Sequence, residues 1–386
     1  MQPTIKDHII FNLAVFCFWF SIYIYIPLFS VYLESIGFTY SAIGFILGGY
    51  GVTQIIFRLP LGILSDALHH VRKQLLISGF ICSFISGVIL VYFDSFFLVL
   101  LARLLAGITA AMWVMATVMY SYYFTPDKSS KAMGTMQFNT VTTQYICMAL
   151  SGYIIHLYGW DLPFWIAIVA SLLGIVFVLK IKDVPDEKPK SRSMSIKDYI
   201  SKTHAISGIK TITFLSLVAH AILFITIFGF SPIIAVSIGI DESQFIWLTS
   251  AFFIPHALIS LLLMIFYLDP KYNRMILTLS FIMSALFIYL ISTAQTLVSM
   301  SLYHSGLGIA LGFVFPILLS EVVRVSPAEL KMSAMGYYQS FYAFGILLGP
   351  IIAGYVGEMI GLEGMFIATS ILSFLSIFTL INTRKT

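Results

Sequence analysis

The chain has 386 residues, of which 59% are hydrophobic and 10% charged, with a mean hydropathy of +0.97 and a formal charge of +4. Soluble domains carry about 25% charged residues, so this composition excludes a water-soluble globular protein. Its apolar runs repeatedly reach about 20 residues, enough to cross a hydrocarbon core, and in lipid such runs must be helical because their backbone groups find no water.

Read in chain order, the apolar runs predict six spans at roughly 9–33, 41–65, 74–93, 97–123, 133–157 and 162–181. Six more follow at roughly 209–238, 244–268, 275–293, 297–324, 333–357 and 364–382. The first run, Phe11 to Tyr32, is too long for a signal-peptide core and lacks a small-residue cleavage site, so it is expected to be retained as the first helix. The expected fold class is an all-α membrane protein with twelve transmembrane helices. Of the 21 Lys and Arg, all but Arg58 and Arg103 fall in the termini or in the even-numbered loops and their edges. The odd-numbered loops carry carboxylates instead, so the positive-inside rule puts both termini in the cytoplasm. The net positive charge is thereby a topology signal, and no nucleic-acid partner is expected. Cys17, Cys82 and Cys147 all lie in apolar runs and read as packing residues, with neither a disulfide framework nor a metal site expected.

The longest break, 182–208, opens with the charged, proline-bearing run KDVPDEKPKSRS and reads as a linker between an N-terminal bundle at 1–181 and a C-terminal bundle at 209–386. Within it, Met194 to Lys202 reads either as a short helix on the inner membrane face, with Ile196, Tyr199 and Ile200 toward lipid, or as a plain loop. The two halves repeat. Ala132-Met133-Gly134 recurs as Ala334-Met335-Gly336, and at the same offset of 202 Gln137 meets Gln339, Gly152-Tyr153 meets Gly354-Tyr355, and Gly159 meets Gly361. Asp66 falls opposite Asp269 at an offset of 203. The pattern predicts two pseudo-symmetric six-helix bundles.

Between the second and third spans, Gly62, Leu64 and Asp66 stand in the order Gly-x-Leu-x-Asp, followed by Arg72 and Lys73. This resembles the signature loop of the major facilitator superfamily, although Ala67 stands where the family usually has an arginine and the basic pair comes two residues late. An ordinary basic turn on the cytoplasmic side is the alternative for this stretch. The repeat extends the resemblance to essentially the whole chain. It implies two bundles related by an axis along the membrane normal, with a substrate site between them near the midplane. It also implies a gating role for Gly62, Asp66, Arg72 and Lys73, which would tie the halves together on the cytoplasmic side.

Charged groups inside a bilayer are costly and need a reason. Arg103 opens Arg103-x-x-x-Gly107-x-x-x-Ala111 in the fourth span, a pattern that resembles the family's helix 4 motif and implies substrate or proton coupling. A structural arginine paired to a carbonyl is the alternative. The repeat sets His304-x-x-x-Gly308-x-x-x-Gly312 against it, which would place His304 across the cavity. With His220 and His256, the C-terminal half holds three intramembrane histidines, plausible as proton carriers or as packing residues. No Asp or Glu falls in the middle of any span, and Glu34, at the end of the first, is a candidate coupling acid near the outer mouth. Tyr23, Tyr25, Trp113, Tyr338 and Tyr342 lie on helices that approach the cavity in the family and read as substrate-stacking or packing residues. Gln137, Thr140 and Gln144 form a polar face beside Asn139, suited equally to lining the cavity or to gluing helices.

Gly345-x-x-x-Gly349-Pro350-x-x-x-Gly354 in the eleventh span is similar to the family's Gly-Pro antiporter motif and reads as a gating segment. The fifth span, where the family carries that motif, has no such proline. An arginine and histidines without a central carboxylate favour an anionic or zwitterionic substrate, since arginine holds carboxylates bidentately. The expected function is proton-coupled export, by alternating access, of a small amphipathic carboxylate-bearing molecule. The whole-chain pattern, including FCFWFSIYIYIPLF, also resembles bacterial opine-metallophore exporters. Multidrug efflux of lipophilic cations and uptake of a nutrient anion are the alternatives. The site would need no cofactor beyond a proton gradient. The protein is expected to act as a monomer in the bacterial plasma membrane, with lipid and a small molecule as its partners. No nucleophile, metal or phosphate-binding motif points to an enzyme.

Overall fold

The computed structural model describes residues 3–64, 69–124, 129–182, 196–265, 268–327 and 330–382. The N-terminal half holds α1 (Ile5–Tyr23, continued through a tight turn at Ile26–Leu28 into Phe29–Ser35), α2 (Tyr40–Leu64) and α3 (Arg72–Tyr92). It continues with α4 (Phe96–Ala111 and Trp113–Ser121), α5 (Ser129–Tyr158) and α6 (Asp161–Lys180). The C-terminal half holds α7 (Ile209–Ile225, a wide turn at Thr226–Phe230, then Ser231–Ser237), α8 (Phe245–Ile265), α9 (Asn273–Ser292) and α10 (Leu297–Val325). The last run, Lys331–Asn382, is two helices meeting at Gly361, α11 before it and α12 after it. Gly361 has φ of 78° and its repeat partner Gly159 has φ of 82°, so glycine makes the same hairpin corner in both halves. The twelve helices expected from the sequence are present. Ten stretches are long and apolar enough to cross a membrane by themselves; α5, with its Asn, Gln and Thr residues, is not among them, and α11 and α12 count there as one.

The short helix Ile196–His204 in the linker is pinned to the C-terminal half, where His204 Nδ1 and the Tyr337 hydroxyl are hydrogen-bonded at 2.8 Å. Ile200 is exposed on it, and the side chains of Ile196 and Tyr199 lie outside the described residues. Asp66 also lies outside them, as does the surrounding of Gly62. The basic pair beyond the loop holds its own half together. Lys73 Nζ donates to the Leu179 and Ile181 carbonyls at 3.0 Å each, at the end of α6, where a cation suits the exposed carbonyls, and the Arg72 guanidinium lies 5.2 Å from the Tyr122 ring.

The halves meet through α2 with α11 and α5 with α8, and the repeat relates the two seams. The start of α1 at Asp7 lies beside Lys182, which follows the end of α6, on one face of the molecule, called here the terminal face; the seams are tightest at the opposite, far face. A side chain at Gly354 of α11 would run into the Tyr40 carbonyl, and one at Gly152 of α5 would run into the Glu242 carbonyl. Gly152 and Gly354, like Tyr40 and Glu242, are partners at the offset of 202, so one contact is made twice. Polar bonds flank each copy. Glu358 accepts from the Ser41 amide at 3.1 Å, across the halves at the start of α2. Its repeat partner His156 lies 3.3 Å from Asp241, which accepts from the Ser243 amide at 2.9 Å. The Ser243 hydroxyl and amide, followed by the nearby His156, hold the Asp241 carboxyl below the usual range. Further along α2, Gly44, Gly48 and Gly51 pack on α11 near Pro350, Leu347 and Ala343, the small-residue packing that lets membrane helices approach closely. Within the C-terminal half, Gly345 and Gly349 pack on Leu217 and Ala221 of α7, so the Gly-Pro segment is held on both sides.

Candidate functional site

Between the halves lies a cavity of ≈ 300 Å³. Its walls are largely aromatic: Trp19 of α1 and Trp113 of α4, 5.0 Å apart by ring centroids, face Phe252, Phe253 and Phe315 from the C-terminal half. The polar groups are few. Tyr23 comes from α1, Tyr50, Gln54 and Arg58 from α2, Thr140 and Gln144 from α5, His220 from α7, His256 from α8, and Tyr338, Gln339 and Tyr342 from α11. No Asp or Glu lines it among the described residues.

Arg58, one of the two cations outside the loop pattern of the sequence, is the fixed charge of this cavity. It is 5% exposed. Its Nη1 donates to the Tyr342 hydroxyl, a bond that spans the two halves, and its Nη2 reaches the Ala110 carbonyl at 3.5 Å. Its Nε has no hydrogen-bond partner. No carboxylate pairs with it among the described residues. Tyr342 in turn stacks on His220, with ring centroids 4.0 Å apart and planes at 6°. His220 Nδ1 donates to the Ser216 carbonyl at 2.8 Å, which leaves Nε2 as the ring's other polar atom. Arg58, Tyr342 and His220 thus form one continuous stack across the seam. A buried guanidinium with an unused donor is the kind of group that takes a carboxylate in a bidentate bond.

Of the residues singled out in the sequence, His220, Tyr23, Trp113, Tyr338 and Tyr342 line this cavity. Arg103 does not. It is 2% exposed and lies behind Tyr50, with its guanidinium 4.8 Å from that ring and 5.5 Å from Phe29. One nitrogen reaches the Tyr25 hydroxyl at 3.5 Å, and Nε has no partner. Tyr25 itself is buried between Phe29 and Phe164, away from the cavity. His304 also lies outside the cavity lining: it is buried, with Nδ1 donating to the Met300 carbonyl at 2.8 Å. The expectation that it faces Arg103 across the cavity is therefore corrected. The reason is visible in the repeat. Gly107, one turn after Arg103, packs on the Tyr50 carbonyl, and Gly308, one turn after His304, packs on the Phe252 carbonyl, while Tyr50 and Phe252 are themselves repeat partners. Each polar residue sits one layer behind an aromatic one. Glu34 lies at the far face, half-buried, where it accepts from the Tyr40 hydroxyl at 3.1 Å, and it is not part of the cavity.

The polar face of α5 divides. Thr140 and Gln144 line the cavity, whereas Asn139 points to α1, donating to the Asn12 carbonyl at 2.8 Å and to its Oδ1 at 3.2 Å. Asn12 donates onward to the Tyr120 hydroxyl at 3.0 Å. The Gln137 side chain lies outside the described residues. Such interhelical bonds average about 0.6 kcal/mol in membranes, so Asn139→Ala is expected to lower the melting temperature slightly and leave ligand binding unchanged, as thermal unfolding with and without ligand would show.

The fold and site define a multi-pass membrane transporter: two repeated six-helix bundles, a central cavity and a seam that closes one face. The chain belongs to the major facilitator superfamily, whose family model matches residues 11–228 and 212–386. Among curated proteins it is similar to the inner membrane transport protein YajR of Escherichia coli, 25% identical over 359 residues, covering 90% of this chain and 76% of that protein. It is also similar to the multi-drug resistance efflux pump PmrA of Streptococcus pneumoniae, 21% identical over 377 residues, covering 94% of this chain and 92% of that one. Among solved structures it resembles a mutant form of the nucleoside transporter NupG with a TM-score of 0.82 at 16% identity, over 98% of this chain and 99% of that one.

Proposed function

We propose that this transporter exports a small amphipathic molecule bearing a carboxylate, by alternating access and in exchange for protons, across a bacterial plasma membrane with both termini in the cytoplasm. It acts as a monomer and needs no cofactor. The observation that carries the substrate class is Arg58, a buried cation in an aromatic cavity that holds no carboxylate among the described residues. An anionic head on Arg58 and an apolar body against Trp19, Trp113 and Phe315 would use both features of the site. Opine-type metallophores are one such class. His220, stacked on Tyr342 and therefore next to Arg58, is the cavity histidine best placed to exchange a proton as the anion comes and goes. Export is supported by the likeness to PmrA, whose name describes an efflux pump.

That likeness and the aromatic walls also support a second reading, efflux of lipophilic cations, with Glu34 as the coupling acid. Thermal unfolding of the purified protein with a ligand panel separates the two, at about pH 6 and about pH 7.5, on either side of an ordinary histidine pKa. The expected result is stabilisation by amphipathic carboxylates, worth about 2.7 kcal/mol at a ligand concentration of about 100 times Kd. Stabilisation by lipophilic cations instead would overturn the anionic reading.

A further inference from the structure

We infer that Arg103 is a second station for the transported anion, reached from Arg58 past an aromatic gate formed by Tyr23, Tyr50, Phe224 and Phe228. The inference rests on the anionic reading of the cavity.

The gate is built from both halves. Tyr23 of α1 packs on Phe228 of α7 with ring centroids 5.7 Å apart, and Tyr50 of α2 stacks on Phe224 at 6.1 Å. All four line the central cavity on one side. On the other side the same four, with Arg103 and the aliphatic Ile22, Ile26 and Leu47, line a void of ≈ 10 Å³, room for about one water and for no organic anion while the far face is closed. Arg58 and Arg103 therefore stand on opposite sides of a single aromatic layer. Neither has a carboxylate partner among the described residues, and each has a buried Nε with no hydrogen-bond partner. A protein gains nothing in stability from burying one such guanidinium, and this one buries two in line.

The gate also sits where the backbone is able to move. α1 breaks at the turn Ile26–Leu28, just after Tyr23, and α7 widens into a five-residue turn at Thr226–Phe230 that contains Phe228. Such wide turns are rare and are found frequently at functional sites. Parting of the far-face seam separates Tyr23 and Tyr50 from their partners on α7 and uncovers Arg103 from that side. Arg58 then serves the state in which the far face is closed, and Arg103 the state in which it is open.

The test uses two probes with one fluorophore and opposite charge, dansylglycine as the anion and dansylcadaverine as the cation. Binding is read by fluorescence on the purified protein and exchange in proteoliposomes. Arg58→Gln is expected to weaken dansylglycine binding by about 10- to 100-fold, the loss of a hydrogen bond to a charged group. Arg103→Gln is expected to leave binding at the closed-far-face site within about twofold while slowing exchange by at least about tenfold. Arg103→Lys, which keeps the charge, is expected to restore most of that exchange. Arg103→Met, suited to a dry site, stands in should the glutamine variant not fold. If Arg103→Gln weakens binding as much as Arg58→Gln, exchanges at the wild-type rate, or is no slower than the lysine variant, the second station is wrong and the anionic cavity stands. If dansylglycine fails to bind, binds no better than dansylcadaverine, or is indifferent to Arg58→Gln, the anionic reading falls and the station falls with it.

Discussion

Leucine at Gly354 or at Gly152 is expected to abolish transport by preventing closure of the far face. In each case the new side chain would meet a backbone carbonyl of the opposite half, that of Tyr40 or of Glu242. A backbone carbonyl at a helix start has no rotamer to move into, so relief comes only by separating the halves. Overpacking of this kind costs about 1–3 kcal/mol at a single site, and 3 kcal/mol displaces a two-state equilibrium by more than about 100-fold. The readout is a cysteine placed at Gln144 in the cavity, in a background without Cys17, Cys82 and Cys147. Its labelling by a membrane-impermeant maleimide from the terminal face should slow by that order, while labelling from the far face appears. Unchanged labelling in both variants would show that the paired contact does not govern closure. Because the contacts are repeat partners, the two single variants should behave alike.

Arg58→Met is expected to lose carboxylate binding by about 10- to 100-fold and at the same time to unfold at a higher temperature. The first effect follows from loss of a charge-assisted bond. The second follows from desolvation: Arg58 is buried with no carboxylate partner among the described residues, and replacing buried ionic groups by apolar ones of similar volume is often neutral or stabilising by about 1–4 kcal/mol. Tyr342 would lose the guanidinium that its hydroxyl accepts from, which subtracts part of that gain. Opposite signs in the two measurements are the mark of a group kept for function. A variant that both binds normally and melts lower would make Arg58 a structural brace between α2 and α11.

Much of this fold is legible in the sequence because lipid leaves the backbone one option wherever an apolar run is long enough. Helix α5 tested that logic, since Asn139, Thr140 and Gln144 fit either a cavity wall or helix glue by pattern alone, and the structure gives some of them each duty. The repeat was equally readable, and its arithmetic paired Arg103 with His304 correctly. What the arithmetic lacked was depth. Whether a residue faces the cavity or stands behind an aromatic neighbour depends on Tyr50 and Phe252, which are distant in the chain. Arg58 was passed over for the same reason. In sequence it is one of the two cations that the loop pattern leaves over, with no motif around it, and its meaning appears only beside Tyr342, 284 residues on. A signal was nonetheless present: Gly44, Gly48 and Gly51 lead by helical spacing to Gln54 and Arg58.

Duplication has left the two seams alike and the chamber between them unlike. The far face closes by one contact made twice, but the position equivalent to Arg58 is Ser260, and the imidazoles of His220 and His256 both belong to the other half. A cargo in this chamber therefore meets a fixed guanidinium supplied by one half and titratable rings supplied by the other. A molecule with unlike ends would then have one favoured seating, its anionic end toward Arg58, and would enter and leave the chamber in a fixed orientation.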